Sequence, residues 1–365
     1  MRVVQILVTL SFGDAVSNDC LAIHKLLEKN GYKSSIFAEN IDKRINASYV
    51  KKYSSLPKLK ADDVILYHLS TGSELNLKVK DFPCRKFLIY HNITPSHYFA
   101  SYNGATTKLC AMGADETILL KDTFEAGFCD SQYNLDELRK IGYTCPLVVR
   151  PILIPFEDYK KKPSQEVVDK FGSNKDLVKN VIFIGRIAPN KCQEDIISTA
   201  YAYNKLYGDE KCKVRFILVG SANGTEKYLS ELIAFAKILE LDNVIFTKQI
   251  PFDEILGFYK TADCLLCMSE HEGFCVPLVE AMCFDVPILA YKAAAVPETM
   301  GDSGVLLETK DPATSAMYLH EILFEKDLRS QIIEDERERL KRFSYDVVSK
   351  EFIDTLKQYI EGVKS

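Results

Sequence analysis

Ser269-Glu270-His271-Glu272-Gly273-Phe274-Cys275-Val276-Pro277-Leu278-Val279-Glu280-Ala281-Met282 follows the apolar run Cys264-Leu265-Leu266-Cys267. The run reads as a buried parallel strand, the glycine-containing stretch as a loop, and Val276 onward as the start of a helix. Strand, loop and helix in that order form the repeating piece of an α/β sheet. The first amides of a helix lack intrahelical partners and the macrodipole favours negative charge, so such a turn binds anions. Two carboxylates, Glu272 and Glu280, stand on either side of that turn. Amides that face phosphate and carboxylates that accept hydroxyl hydrogen bonds together suit a ligand with both groups, such as a nucleotide sugar.

The same alternation runs outward in both directions. In the first half the expected strands are Val3–Leu10, Ser35–Ala38, Val64–Tyr67, Phe87–Tyr90 and Leu147–Arg150. A helix is expected over Asn18–Asn30, ended by Gly31 as a C′ glycine. Pro151, Pro155 and the polar segment Glu157–Ser164 read as a linker. The second half restarts with strands at Val181–Ile184, Val214–Val219, Val244–Phe246, Cys264–Cys267, Pro287–Leu289 and Val305–Leu307, and from Pro312 the chain reads as all-helical. At 365 residues the chain is too long for one typical core. Two Rossmann-like domains, each with a parallel sheet, follow, and ligands of such sheets bind beyond the carboxyl ends of the strands.

Charge and composition exclude several classes. The formal net charge of −5 argues against nucleic-acid binding. The charge is uneven: residues 1–150 hold 19 Lys and Arg against 16 Asp and Glu, the remainder 27 against 35. The basic excess in the first half includes Lys51, Lys52, Lys58, Lys60, Lys78, Lys80, Arg85 and Lys86, which leaves room for contact with a membrane surface. No apolar run is long enough to span a membrane. Met1–Leu10 reads as a first strand rather than a signal peptide, because Gln5 interrupts it and a turn with Gly13 and Asp14 follows at once. Eleven cysteines without regular spacing point to free thiols in a reducing cytoplasm, with the inner face of the membrane as a peripheral station. Cys264, Cys267, Cys275 and Cys283 are spaced like a zinc set, but thiols three apart on a strand face opposite ways, so no metal is expected.

Candidate residues fall at strand ends. Val181-Ile182-Phe183-Ile184-Gly185-Arg186 is a strand that ends in Gly-Arg, and Lys191 follows five residues later. Arginine offers a planar fork and lysine a point charge for phosphate oxygens. Gly13 permits close backbone approach in the first βα turn, and Asp14 beside it reads either as an acceptor contact or base, or as a cap. His68 and His91 end two strands of the first half. Gly220 ends another strand, and Ile250 follows Val244–Phe246. The turn lacks G-x-G-x-x-G, so a dinucleotide-dependent dehydrogenase is not supported. No Asp-x-Asp is present.

Glu272-Gly273-Phe274 and Pro277-Leu278-Val279-Glu280-Ala281-Met282 resemble the E-x7-E signature of retaining GT-B glycosyltransferases, in particular family 4. Cys275 departs from the family's usual glycine and narrows the space beside the sugar. The resemblance implies a GT-B fold: two Rossmann-like domains (1–155 for the acceptor, 156–344 for the nucleotide sugar) facing across a cleft, and a helix (345–365) returning to the first domain. It implies a donor site of Gly13, Gly185, Arg186, Lys191, Gly220, Ile250, Glu272, Phe274, Cys275, Val276, Leu278, Val279 and Glu280. In that site Arg186 and Lys191 hold the diphosphate, Glu280 the ribose, Glu272 and His91 the sugar, and His68 and Asp14 face the acceptor. The implied reaction is metal-independent, with a UDP-, GDP- or dTDP-sugar as donor and a glycan or lipid-linked acceptor, in cell-surface polysaccharide biosynthesis. Rival readings are a GT-B-shaped sugar-nucleotide epimerase and a non-catalytic nucleotide-sugar-binding protein.

Overall fold

The computed structural model describes residues 1–174, 177–208 and 211–361. The chain forms two compact units. Unit 1 comprises 1–97, 105–156 and 342 onward, and unit 2 comprises 98–104 and 157–341.

Unit 1 is built on a seven-stranded parallel sheet. Its strands are β1 (Arg2–Leu10), β2 (Lys33–Ile41), β3 (Val50–Lys52), β4 (Val64–Leu69), β5 (Arg85–Tyr90), β6 (Ala126–Cys129) and β7 (Leu147–Val149), in the order β3-β2-β1-β4-β5-β6-β7. β1 is apolar on both faces because it is central, paired in parallel with both β2 and β4. The helix after it, Ala15–Lys29, ends before Gly31, whose φ of 82° needs glycine. One apolar layer forms around Val4, Ile6, Tyr67, Leu88 and Tyr90. The opposite layer joins Val3, Leu26, Phe87 and Phe128 to Val348, Phe352, Ile353 and Leu356 of the last helix, Tyr345–Glu361. The rings of Phe128 and Phe352 lie 4.9 Å apart, and Arg85 Nη2 donates to the Tyr359 carbonyl at 2.7 Å. The last helix therefore belongs to the first unit, as the resemblance implied.

Unit 2 repeats the plan with six parallel strands. They are β8 (Val178–Ile184), β9 (Lys213–Val219), β10 (Val244–Phe246), β11 (Cys264–Cys267), β12 (Ile288–Tyr291) and β13 (Val305–Leu307), ordered β10-β9-β8-β11-β12-β13. Both sheets thus have the doubly wound order, with a switch point where the chain reverses direction across the sheet. In unit 1 it lies between β1 and β4; in unit 2 it lies between β8 and β11. Two strands departed from the expectation by being present at all. β3 and β6 are short, and β6 carries Gly127, where a Cβ would come within 2.9 Å of Leu147 Cδ2. Among the described residues, no helix is long and apolar enough to cross a membrane.

Candidate functional site

The switch point of unit 2 gathers the charged residues. β8 runs into Gly185 and Arg186, and a turn of 3-10 helix, Pro189–Lys191, brings Lys191 back toward the loop that follows the neighbouring β11. Two hydrogen bonds join these loops and a third ties the second loop to the segment after β12. Glu270 N donates to the Asn190 carbonyl at 3.0 Å, Asn190 Nδ2 donates to the His271 carbonyl at 3.1 Å, and Ala295 N donates to the Glu272 carbonyl at 3.3 Å. Lys191 Nζ then meets Glu272 Oε2 at 2.5 Å, with side chains only 19% and 11% exposed. Burial alone would lower the lysine's pKa; the Glu272 carboxylate outweighs it, and the pKa stands above the ordinary value. Arg186 is exposed, its guanidinium 5.8 Å from the Phe99 ring centroid, and one of its nitrogens donates to the Asn223 carbonyl at 3.2 Å.

Cys275 directly precedes the helix Val276–Cys283 with φ 73° and ψ 67°. That left-handed conformation costs an L-residue about 1–2 kcal/mol, which is the physical reason for a glycine preference at this place. Phe274, Cys275, Leu278 and Val279 are buried, so the side chains of Leu278 and Val279 belong to the core and only their backbone could face a ligand. Val276 and Glu280 are partly exposed. Glu280 is held by two groups that the sequence reading did not single out. Tyr159 Oη donates to Oε1 and Tyr259 Oη donates to Oε2, both at 2.6 Å. Burial pushes the Glu280 carboxyl above its usual range, and the two phenols pull it back toward the ionised form. Burial also pushes both phenols up, which keeps them as O–H donors.

The remaining unit 2 candidates lie along the same sheet edge. Gly220 follows β9 and packs on Gly185, where an added Cβ would fall 1.8 Å from the Gly185 oxygen. Ile250 follows β10 and is partly exposed. Across the carboxyl edge the order is Ile250, Gly220, Gly185 with Arg186 and Lys191, then Glu272 to Glu280. Four adjacent strands at about 4.8 Å spacing give this row a span of roughly 15 Å.

In unit 1 the structure places the candidates differently from the expectation. Gly13 is exposed at φ 82°. Asp14 caps the helix Ala15–Lys29: Oδ1 accepts from Ser17 N at 3.0 Å and Oδ2 from Ser17 Oγ at 2.6 Å. Of the two readings of Asp14, the cap is the one the geometry carries. His68 is fully buried, its Nε2 3.0 Å from Gln5 Oε1 and its Nδ1 2.9 Å from His91 Nε2. His91 Nδ1 lies 2.8 Å from Asp130 Oδ2. Both rings are thus committed at both nitrogens. The expected ring contacts, His68 to an acceptor and His91 to a sugar, would each require breaking one of these bonds. Burial opposes charge on His91, but the Asp130 carboxylate raises its pKa, while burial and the neighbouring His91 lower that of His68. An imidazolium at His91 donates from both nitrogens, and a neutral His68 passes its own Nε2–H to Gln5; this assignment comes from the hydrogen-bond pattern.

Beside this chain lies the buried pair Asp19–Arg150, with Nη1 to Oδ1 and Nη2 to Oδ2 both at 2.7 Å. Gln5, Asp19, Asp130 and Arg150 escaped the sequence reading. Asp19 and Arg150 are 131 residues apart, and Gln5 gave only the weak signal of a polar residue inside an apolar strand.

Two parallel doubly wound α/β units in one chain, the second with a cation-and-carboxylate switch point, define the GT-B fold class. The crystal structure of HepE from Anabaena in complex with UDP-glucose matches with a TM-score of 0.74 at 16% identity, covering 98% of this chain and 100% of that one. Residues 165–339, within unit 2, match the family described as Glycosyl transferases group 1. A D-inositol 3-phosphate glycosyltransferase from Acidothermus cellulolyticus is 26% identical over 170 residues, 46% of this chain and 38% of that protein. A lipopolysaccharide 1,2-N-acetylglucosaminetransferase from Salmonella typhimurium is 25% identical over 215 residues, 56% of this chain and 55% of that protein. The chain thus covers less than two thirds of the length of these curated relatives.

Proposed function

We propose that the protein is a retaining glycosyltransferase. Its donor is a nucleoside-diphosphate sugar bound along the carboxyl edge of the unit 2 sheet, and its acceptor is a hydroxyl of a glycan or lipid-linked molecule. The observation that carries this reading is the row from Ile250 through Arg186 and Lys191 to Glu272 and Glu280. It is long enough for base, diphosphate and sugar in sequence, and it places Arg186 and Lys191 at its middle, where a diphosphate would lie. Arg186 and Lys191 take the diphosphate and stabilise it as leaving group, without a metal. Lys191 sits between two anions, the diphosphate and Glu272. Glu272 accepts from sugar hydroxyls. Glu280, fixed by Tyr159 and Tyr259, accepts from the ribose through its remaining lone pairs. The donor phosphate takes the acceptor proton, since the capped Asp14 is already engaged. His91 acts as a buried positioning group rather than a sugar contact. The lipopolysaccharide relative favours a role in cell-surface polysaccharide biosynthesis.

The test is a thermal shift with UDP-, GDP- and dTDP-sugars under excess chelator. A ligand at 100 times its Kd stabilises by roughly 2.7 kcal/mol. One base family should raise the melting temperature, and Arg186→Ala/Lys191→Ala should abolish the rise and lower turnover by about 100-fold or more. Full binding and turnover in the double variant would refute the assignment.

A further inference from the structure

Cys267 ends β11 and Cys275 precedes the helix Val276–Cys283, and the fold brings their sulfurs to 4.0 Å. A Glu272 carboxylate oxygen lies within 4.8 Å of both, so three ligand atoms converge on one point. The separation discriminates between two chemistries. A disulfide needs about 2.05 Å, so the thiols would have to close by roughly 2 Å. Two thiolates on a tetrahedral ion at about 2.3 Å stand roughly 3.8 Å apart, and the observed distance is within a few tenths of that. Cys264 and Cys283 are not part of the group, which leaves the four-cysteine pattern excluded while two of its members meet.

The surroundings suit a dication. Two thiolates and Glu272 carry three negative charges and Lys191 one positive, so a divalent ion neutralises the cluster, with two thiol protons released to solvent. Glu272 Oε2 is engaged by Lys191, and a carboxylate has a second oxygen to offer a metal. Ser269 Oγ, 3.4 Å from Cys267 Sγ, can turn its proton toward a thiolate. Water takes the fourth position, and the partly open Lys191–Glu272 side is the entry. Cys275 also holds its side chain in a backbone conformation that opposes one.

We propose that Cys267, Cys275 and Glu272 form a site for a soft divalent cation, Zn2+ or Cd2+, whose occupation shuts off the donor pocket by taking Glu272 away from the sugar. The second half rests on the nucleotide-sugar reading above; the first does not. The test uses the full chain, reduced and stripped with chelator, and Cd2+ as probe. Wild type should gain the ultraviolet thiolate-to-cadmium absorption, saturating at one equivalent. Cys267→Ser and Cys275→Ser should each lose it while keeping the wild-type melting temperature in chelator. Cd2+ should also abolish the thermal shift given by UDP-glucose in wild type but not in Cys267→Ser. No band at one equivalent, or a band undiminished in both variants, overturns the site. A normal band with an intact UDP-glucose shift overturns the inhibition alone. If UDP-glucose gives no shift even without metal, the donor reading fails, and the site stands or falls on the absorption.

Discussion

Replacing Tyr259 with phenylalanine deletes one oxygen from the support of Glu280 and changes little else, because the ring stays in its buried place against Phe284. The lost bond is a 2.6 Å hydroxyl-to-carboxylate contact. A hydrogen bond to a charged group contributes about 1.5–3 kcal/mol. That bond favours the ionised carboxyl, so its loss raises the Glu280 pKa further, on top of the rise that burial already imposes. If the carboxylate holds the ribose, the donor KM rises by up to about 10- to 150-fold, kcat changes little, and the acid limb of kcat/KM moves to higher pH. The limb moves upward because a higher pH is needed to ionise the group. Initial rates against donor concentration from pH 5 to 9, for wild type, Tyr259→Phe and Tyr159→Phe, test this. An unchanged donor KM with an unmoved acid limb in both variants would show that Glu280 does not act on the donor as a carboxylate.

Three further outcomes concern stability and loop placement. Burial pushes the carboxyl of Glu336 up to about 8, with Oε1 accepting from Ile288 N at 2.9 Å and Oε2 among the buried atoms without a partner. The native state therefore keeps a proton that the unfolded chain releases near 4.5, and this contribution to stability is lost as pH rises from there through 8, by at most about 5 kcal/mol. Glu336→Gln keeps the acceptor and should be more stable than wild type at pH 8 but not at pH 4, by urea denaturation; parallel pH curves would contradict this. Gly220→Ala puts a Cβ 1.8 Å from the Gly185 oxygen and should lower the melting temperature by several degrees and raise donor KM, because the loop that carries Arg186 must move. Gly13→Ala meets nothing within 4 Å and should cost only the backbone strain at φ 82°, about 1 kcal/mol by the same melt.

The central strands could be read because a parallel strand covered on both faces is a continuous apolar run, as in Val181–Ile184 and Cys264–Cys267. Val50–Lys52 could not: it lies at the sheet edge, two of its three residues are lysines, and only its pairing with β2 makes it a strand. Ala126–Cys129 has a glycine where strands disfavour one, and the demand for it comes from Leu147 and Leu88, distant in sequence. The charges of the site were legible as strand-end residues, but their partners were not. Tyr159 lies in a stretch that reads as linker, and its hydroxyl finds Glu280 only after folding. The histidines show the opposite failure. Each stands at a strand end, where a ligand contact is a reasonable expectation, yet parallel β4 and β5 set them side by side and they satisfy each other. Tyr98–Gly104, inside the first half of the sequence, groups with unit 2, where Asn103 Nδ2 donates to the Gly224 carbonyl at 2.7 Å and the Tyr102 and Tyr228 rings lie 5.2 Å apart.

The helix Tyr345–Glu361 supplies Val348, Phe352, Ile353 and Leu356 to a layer whose other members lie before residue 157. On the ribosome, that layer waits for about 200 more residues, roughly 10–40 s at ordinary rates of synthesis. Through this interval Phe87 and Phe128 lack the Phe352 and Tyr359 rings that cover them in the finished protein. The nascent first unit is then a sticky intermediate and a natural client for chaperones. A stop codon ahead of Phe352 would damage the half of the protein that was translated first.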